Sequence, residues 1–386
     1  MARLGDICEV LNGYAFKSEN YTSSGVRIIR IANVQKGYIE DTAPAFYPID
    51  TTDIEKYTLY EDDLLISLTG NVGRVALLKK EFLPAALNQR VACLRLKDSA
   101  QYDKSFLYCF LNSDYFENKC IQSAKGVAQK NMSTEWLKEY QIPNLSLVEQ
   151  KEIAAVLNKI SELISARTMQ LQKLDELVKS RFIEMFGDPV TNLKGWTTKP
   201  LLDMGNCKNG MNFHTGDSGM EMHCLGVGDF KDLSFIDGTD HLPVISLNEA
   251  PPEESMLRDG DIVFVRSNGN KALVGRCLVV YPRNTPTTYS GFCIRYRLTS
   301  SEVDTTYLLR VLKTDSMRKK MAGRGANIQN LNQQILAALD IPLPPIKLQQ
   351  AFAAFVEQVD KSKLAIQQSL EKLETLKKAL MQQYFG

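Results

Sequence analysis

The chain has 386 residues, 44% of them hydrophobic and 24% charged, which excludes a disordered polymer and leaves room for two or three domains, each with a real core. Its net charge is +1, and a cut after Gly187 leaves 23 basic against 24 acidic residues before it and 23 against 21 after it. If nucleic acid is bound, local patches must therefore do the work. The eight cysteines never come closer than eleven residues to one another, which excludes a C-x-x-C metal or redox pair, and no run approaches the ~18 uninterrupted apolar residues of a membrane span. A soluble, cytoplasmic protein with scattered buried thiols is expected.

In chain order, short β-rich runs over 26–34, 64–68, 74–78 and 91–97, divided by Gly, Asn and Pro turns, precede an amphipathic helix near 104–119. A long helix then opens at Ser146-Leu147-Val148-Glu149, the pattern of a capping box, and closes at Gly187 with Pro189 just beyond. Apolar residues recur along it at spacings of 4 and 3 from Ile153 through Leu157, Ile160, Ile164, Leu171, Leu174 and Val178 to Met185, with Arg167 and Arg181 in the same seam. This is a coiled-coil pattern. The second half repeats the order: β-rich runs over 222–230, 262–266, 273–280 and 292–298, a helix near 304–321, then a long helix whose seam runs from Phe352 to Tyr384 and carries Lys363 and Lys377. The seam cations are expected to snorkel to the edge, the alternative being that they set partner register.

The repetition is one of sequence as well as order. Ile142-Pro143 recurs 199 residues later as Ile341-Pro342, with Gln150 over Gln349 and Ala154-Ala155 over Ala353-Ala354. Asn12-Gly13-x-x-Phe16 matches Asn209-Gly210-x-x-Phe213, and "LQKLDELVKSRFIEMFG" matches "LEKLETLKKALMQQYFG". A helix with one apolar stripe must be covered, and the other copy is the nearest cover. The expected fold is α+β: two globular α/β units, at 1–145 and 188–343, and two long helices, at 146–187 and 344–386, paired as an antiparallel two-helix coiled coil with a pseudo-twofold relation between the halves.

No catalytic constellation is legible. There is no G-x-x-x-x-G-K-[ST] loop and no H-E-x-x-H, and the only histidines, His214, His223 and His241, all fall in the second half. The Pro-Pro pairs at 251–252 and 344–345 lack the flanking residues with which adenine methyltransferases grip a flipped base. Glu149 is already explained as a cap.

Each half does carry three turns rich in Asn, Gln, Arg, Lys and Gly at the ends of apolar strands: 68–74, 86–96 and 125–131, then 266–271, 288–298 and 323–330. Any one such turn is ordinarily just solvated. Their recurrence at equivalent places points to contact with phosphates and base edges. The candidate DNA-facing residues are Arg74, Asn88, Gln89, Arg90, Lys125, Gln129, Lys130 and Asn131 in the first half, and Arg266, Asn268, Asn270, Lys271, Tyr289, Arg324, Asn327 and Gln329 in the second.

Two globular units, each followed by "IP…EQ" or "IPLPP…LQ" and a long helix, and joined by "MFGDPVTNLKGW", closely resemble the specificity subunit of type I restriction–modification systems. The resemblance covers essentially the whole chain. It implies two target recognition domains reading the halves of a split double-stranded DNA site, two methyltransferase subunits as partners, and two restriction subunits in the full complex. S-adenosylmethionine, Mg²⁺ and ATP would belong to those partners; this chain would hold no cofactor or metal and catalyse nothing itself. The alternatives are a freestanding DNA-modifying enzyme and a coiled-coil interaction protein without a DNA role.

Overall fold

The computed structural model describes residues 1–50, 54–97, 101–124, 131–213, 216–230, 233–322 and 330–386. They form two compact units, one made of Met1–Met169 with Gln367–Gly386, the other of Gln170–Ile366. Among the described residues no helix is long and apolar enough to cross a membrane.

In the first unit the strands Cys8–Asn12, Val91–Leu96, Leu64–Ser67 and Val75–Leu77 form an antiparallel sheet in that order. A second sheet orders Phe46–Tyr47, Val26–Ile29, Ala85–Leu87 and Thr58–Leu59, its central pair parallel. The second unit repeats this with Gly205–Asn209, Cys293–Leu298, Asp261–Val265 and Cys277–Tyr281, extended by Phe235–Asp237 as a fifth, parallel strand. Its smaller sheet orders Val244–Leu247, Met220–Leu225 and Thr287–Tyr289.

Two expected runs are shorter than their apolar patterns, for one reason in both copies. The Asn33 side chain accepts from the Arg30 amide at 2.9 Å, and the Asp229 carboxylate accepts from the Gly226 amide at 2.8 Å. Each closes a 3₁₀ turn that ends the strand, because a short polar side chain competes with the ladder for backbone groups. The helix expected near 104–119 is likewise two, Lys104–Leu111 and Asp114–Ser123, broken where the Ser113 hydroxyl caps the Phe116 amide at 3.1 Å. Its counterpart divides into Thr305–Lys313 and Asp315–Ala322.

The long helices span Leu147–Phe186 and Ile346–Phe385, 40 residues each. The first opens on the expected capping box: the Ser146 amide donates to Glu149 Oε2 at 2.8 Å and the Glu149 amide to Ser146 Oγ at 3.3 Å. The Ser146 hydroxyl, donating to Glu149 Oε2 at 2.7 Å, and then the Ser146 amide hold the Glu149 carboxyl below its ordinary pKa. The second opens at Pro345, whose carbonyl accepts from the Leu348 amide. The first ends at Gly187, with φ +77°, where Lys194 Nζ donates to the free carbonyls of Glu184 and Met185 and the Trp196 indole to that of Phe186. The joining segment is thus a C-terminal cap.

Each unit holds a part of both helices, running antiparallel. In the first, Phe385 packs 5.7 Å and 5.3 Å from the rings of Phe106 and Phe110, in a core that includes Ala154 and Leu157. In the second, Phe182 and Phe186 lie 5.6 Å and 5.5 Å from Phe352, with Tyr307 4.8 Å from Phe186. Each helix therefore starts in the unit it follows in sequence and ends in the core of the other. Seam positions are shielded along both helices except at Arg181, which is exposed while Phe182 is buried. Arg181 snorkels as expected and pairs with Glu184 on its own helix. Lys363 instead donates across the helix pair to Asp175 at 2.6 Å.

Candidate nucleic-acid interface

The repeated Asn-Gly pair fixes the base of the site. A side chain on Gly13 would collide with the Asn88 carbonyl, and one on Gly210 with that of Ser290. Only glycine lets these chains pass so close. Beside them Tyr14 bridges in parallel to Asn88, and Met211 to Ser290.

Backbone bonds then tie two loops of each unit, and the residue that follows the third, to a single residue. In the first unit the Leu68 amide donates to the Arg90 carbonyl at 2.8 Å, and the Leu68 carbonyl accepts from Met132 at 2.8 Å. In the second the Arg266 amide donates to the Phe292 carbonyl at 2.8 Å, and the Arg266 carbonyl accepts from Leu331 at 2.7 Å. Thr69 bridges to Asn131 and Ser267 to Asn330 alongside. The same junction is built twice, so loops distant in sequence share one rigid platform.

Of the first-unit candidates, Gln89, Arg90 and Asn131 are exposed at this junction. Arg90 has φ +72°, a left-handed backbone that costs a non-glycine residue about 1 kcal/mol or more. Arg74 is half-buried and donates to Gln35 Oε1. Asn88 is only 9% exposed, because its backbone receives the Gly13 approach. In the second unit Asn270 and Lys271 are exposed and Arg266 and Asn268 half-buried. Asn268 accepts from the Asn270 amide at 2.8 Å, and Asn270 caps the short turn Lys271–Leu273. Lys125, Gln129, Lys130, Arg324, Asn327 and Gln329 lie outside the described residues.

Tyr289 is a correction. It is 0% exposed, its ring fills the core between the sheets, and its hydroxyl donates to the Lys208 carbonyl at 3.3 Å. It sits on a strand face pointing inward, which no composition of the neighbouring turn reveals. The residue at the junction is instead Phe292, 61% exposed where the first unit has Arg90. Tyr14, half-exposed, belongs to the same edge. Arg276 is also absent from the candidates, yet the Ser67 amide donates to Arg74 as the Val265 amide does to Arg276. The signal for it was in the sequence: Val72-Gly73-Arg74 recurs as Val274-Gly275-Arg276.

The family described as "type I restriction modification DNA specificity domain" matches residues 1–176 and 253–377, more than half of the chain. The chain belongs to this family. It is a DNA-sequence-recognition subunit of the type I restriction–modification kind. Among its relatives, the StySPI specificity subunit of Salmonella potsdam is 26% identical over 382 residues, covering 93% of this chain and 81% of that one. The EcoAI specificity subunit of Escherichia coli is 36% identical over 184 residues, 46% of this chain and 30% of the other. The fold is that of the S subunit from M. genitalium, with a TM-score of 0.58 at 16% identity, covering 100% of this chain and 95% of that one.

Proposed function

We propose that each globular unit of this specificity subunit reads one half of a split double-stranded DNA site through its three-loop junction. The recognition domains correspond to 1–145 and 188–343, and the helices 146–187 and 344–386 act as the spacer. Two methyltransferase subunits join the chain, and two restriction subunits complete the assembly, in the cytoplasm. S-adenosylmethionine, Mg²⁺ and ATP are handled by those partners.

The observation that carries this reading is the duplicated junction at Leu68 and Arg266. The platform is the same twice while its tips differ, Arg90 in one copy and Phe292 in the other. A guanidinium makes bidentate bonds to guanine, whereas a phenyl ring makes apolar contact with a thymine methyl or a base step. Alanine at Arg90 or Phe292 is expected to cost about 1–3 kcal/mol and to relax one base in one half-site, leaving the other half unchanged. Tyr289→Phe is expected to leave the half-site sequence preference as it was. Selection of bound duplexes from a random library in the presence of the methyltransferase partner measures both. If the two alanine variants keep wild-type preference and salt dependence, the junction is not the reading surface.

A further inference from the structure

The face of the second unit's main sheet that carries Val263 and Cys293, and so turns toward the smaller sheet, ends in a cluster of charge that differs from its first-unit counterpart. Lys208 on strand Gly205–Asn209 lies directly opposite Arg295 on strand Cys293–Leu298, and Asn206 opposite Arg297. The equivalent cross-strand pairs of the first unit are Leu11 with Cys93 and Glu9 with Arg95. An apolar pair has been replaced by two cations facing each other, an arrangement that destabilises a sheet unless something negative joins it.

No surrounding carboxylate bonds Arg295 directly, although Glu254, held below its ordinary pKa first by Lys208, also feels the Arg295 charge. Asp261 is taken by Arg297 through two bonds of 2.8 Å and 2.7 Å, as Asp63 is taken by Arg95 in the first unit. Glu253 pairs with Arg258, and the Glu254 carboxylate with Lys208. Arg295, only 3% exposed, reaches the neutral Asn206 Oδ1 at 3.1 Å and the Glu254 carbonyl at 3.5 Å. The buried Tyr289 hydroxyl supports it from below, and its Nε has no partner. A buried guanidinium with neutral partners is costly unless an anion reaches it. Four cations, Lys208, Arg258, Arg295 and Arg297, line an open cleft of about 520 Å³ with the carboxylates of Glu253 and Glu254. Glu253 and Glu254 are exposed on its rim, where such pairs are weak and can open.

We propose that this cleft is an oxyanion site that takes a phosphate group, with Arg295 as its floor and Lys208, Arg258 and Arg297 as its walls. The planar fork of arginine suits phosphate geometry. The phosphate is either free or part of a DNA backbone that reaches this cleft. The site stands on the strand register and the unpartnered Arg295 Nε, and is independent of the loop junction.

The test uses the full chain and three variants: Lys208→Leu and Arg295→Cys, which restore the first-unit residues, and Arg258→Ala at the rim, which keeps the proposal testable if Arg295→Cys fails to fold. Inorganic phosphate, added against chloride at matched ionic strength, is expected to raise the unfolding midpoint of the wild type, and the variants are expected to lose that shift. In a second arm, affinity for a random-sequence duplex is followed against salt. A DNA-backbone source predicts a slope lower by about one in the variants, with inorganic phosphate competing; a free-phosphate source predicts unchanged slopes. If phosphate stabilises no more than chloride and every variant keeps the wild-type slope, the site does not exist. Loss of the loop-alanine effects would overturn the junction reading and leave this result untouched.

Discussion

Gln150 and Gln349 show why a polar residue is repeated inside two apolar surroundings. Each is fully buried. Gln150 accepts from the Asp103 amide at 2.8 Å and donates to the Leu145 and Gln101 carbonyls; Gln349 accepts from the Asp304 amide at 2.9 Å and donates to the Pro344 and Glu302 carbonyls. Each glutamine thus joins the start of a long helix to the start of a domain helix, satisfying three backbone groups from a fully buried side chain. Gln150→Leu is nearly equal in volume but leaves those groups unpaired, so it is expected to destabilise by about 1–3 kcal/mol in urea unfolding. The thiols make a second prediction. Burial pushes Cys8, Cys224 and Cys293 up to about 12 and Cys109 and Cys277 to about 11. The folded chain holds these groups neutral, so their contribution to stability is complete below the ordinary thiol pKa of about 8.5 and falls as pH rises above it. Alkylation at pH 8 is expected to label none of these five in the native chain and all of them in urea, read by mass spectrometry.

At the scale of elements, each long helix ends in the core of the unit it does not follow in sequence. Phe385, one residue from the end of the sequence, is buried between Phe106 and Phe110. Phe186 holds the matching place against Tyr307 and Phe352. Phe385→Ala is expected to cost about 3–5 kcal/mol, and the loss should fall on the first unit, which contains Phe106, although the substitution is at the far end of the chain. Hydrogen exchange resolved by peptide tests this: faster exchange in 104–123 with little change in 305–321 is the expected result. Faster exchange confined to 305–321 would contradict the assignment of Phe385 to the first core. The sequence shows the repeated Phe-Gly ending, but periodicity says only that a stripe must be covered, not which core receives its last ring.

For the molecule as a whole, the proposed spacer role makes a length prediction. Four residues inserted between Lys159 and Leu171 add about 6 Å to the first helix, close to two base pairs at ~3.4 Å each. The half-site sequences are expected to persist while the unread gap between them lengthens, with some loss of affinity from the seam falling out of phase. Library selection with the methyltransferase partner gives the gap directly. A fixed gap with altered half-site bases would remove the spacer role.

The internal repeat, the capping box at Ser146, the heptad seams and the absence of catalytic motifs were all legible in the sequence, because each depends on local spacing along one chain. Tertiary structure alone decided what depends on residues far apart. It turned Tyr289 into the core and brought Phe292 out, since a turn's composition does not say which face of the next strand is inside. It divided the seam cations, sending Lys363 across to Asp175 and leaving Arg181 to its own helix. It also set Lys208 opposite Arg295, because strand register is fixed by pairing between segments and is written in neither segment by itself.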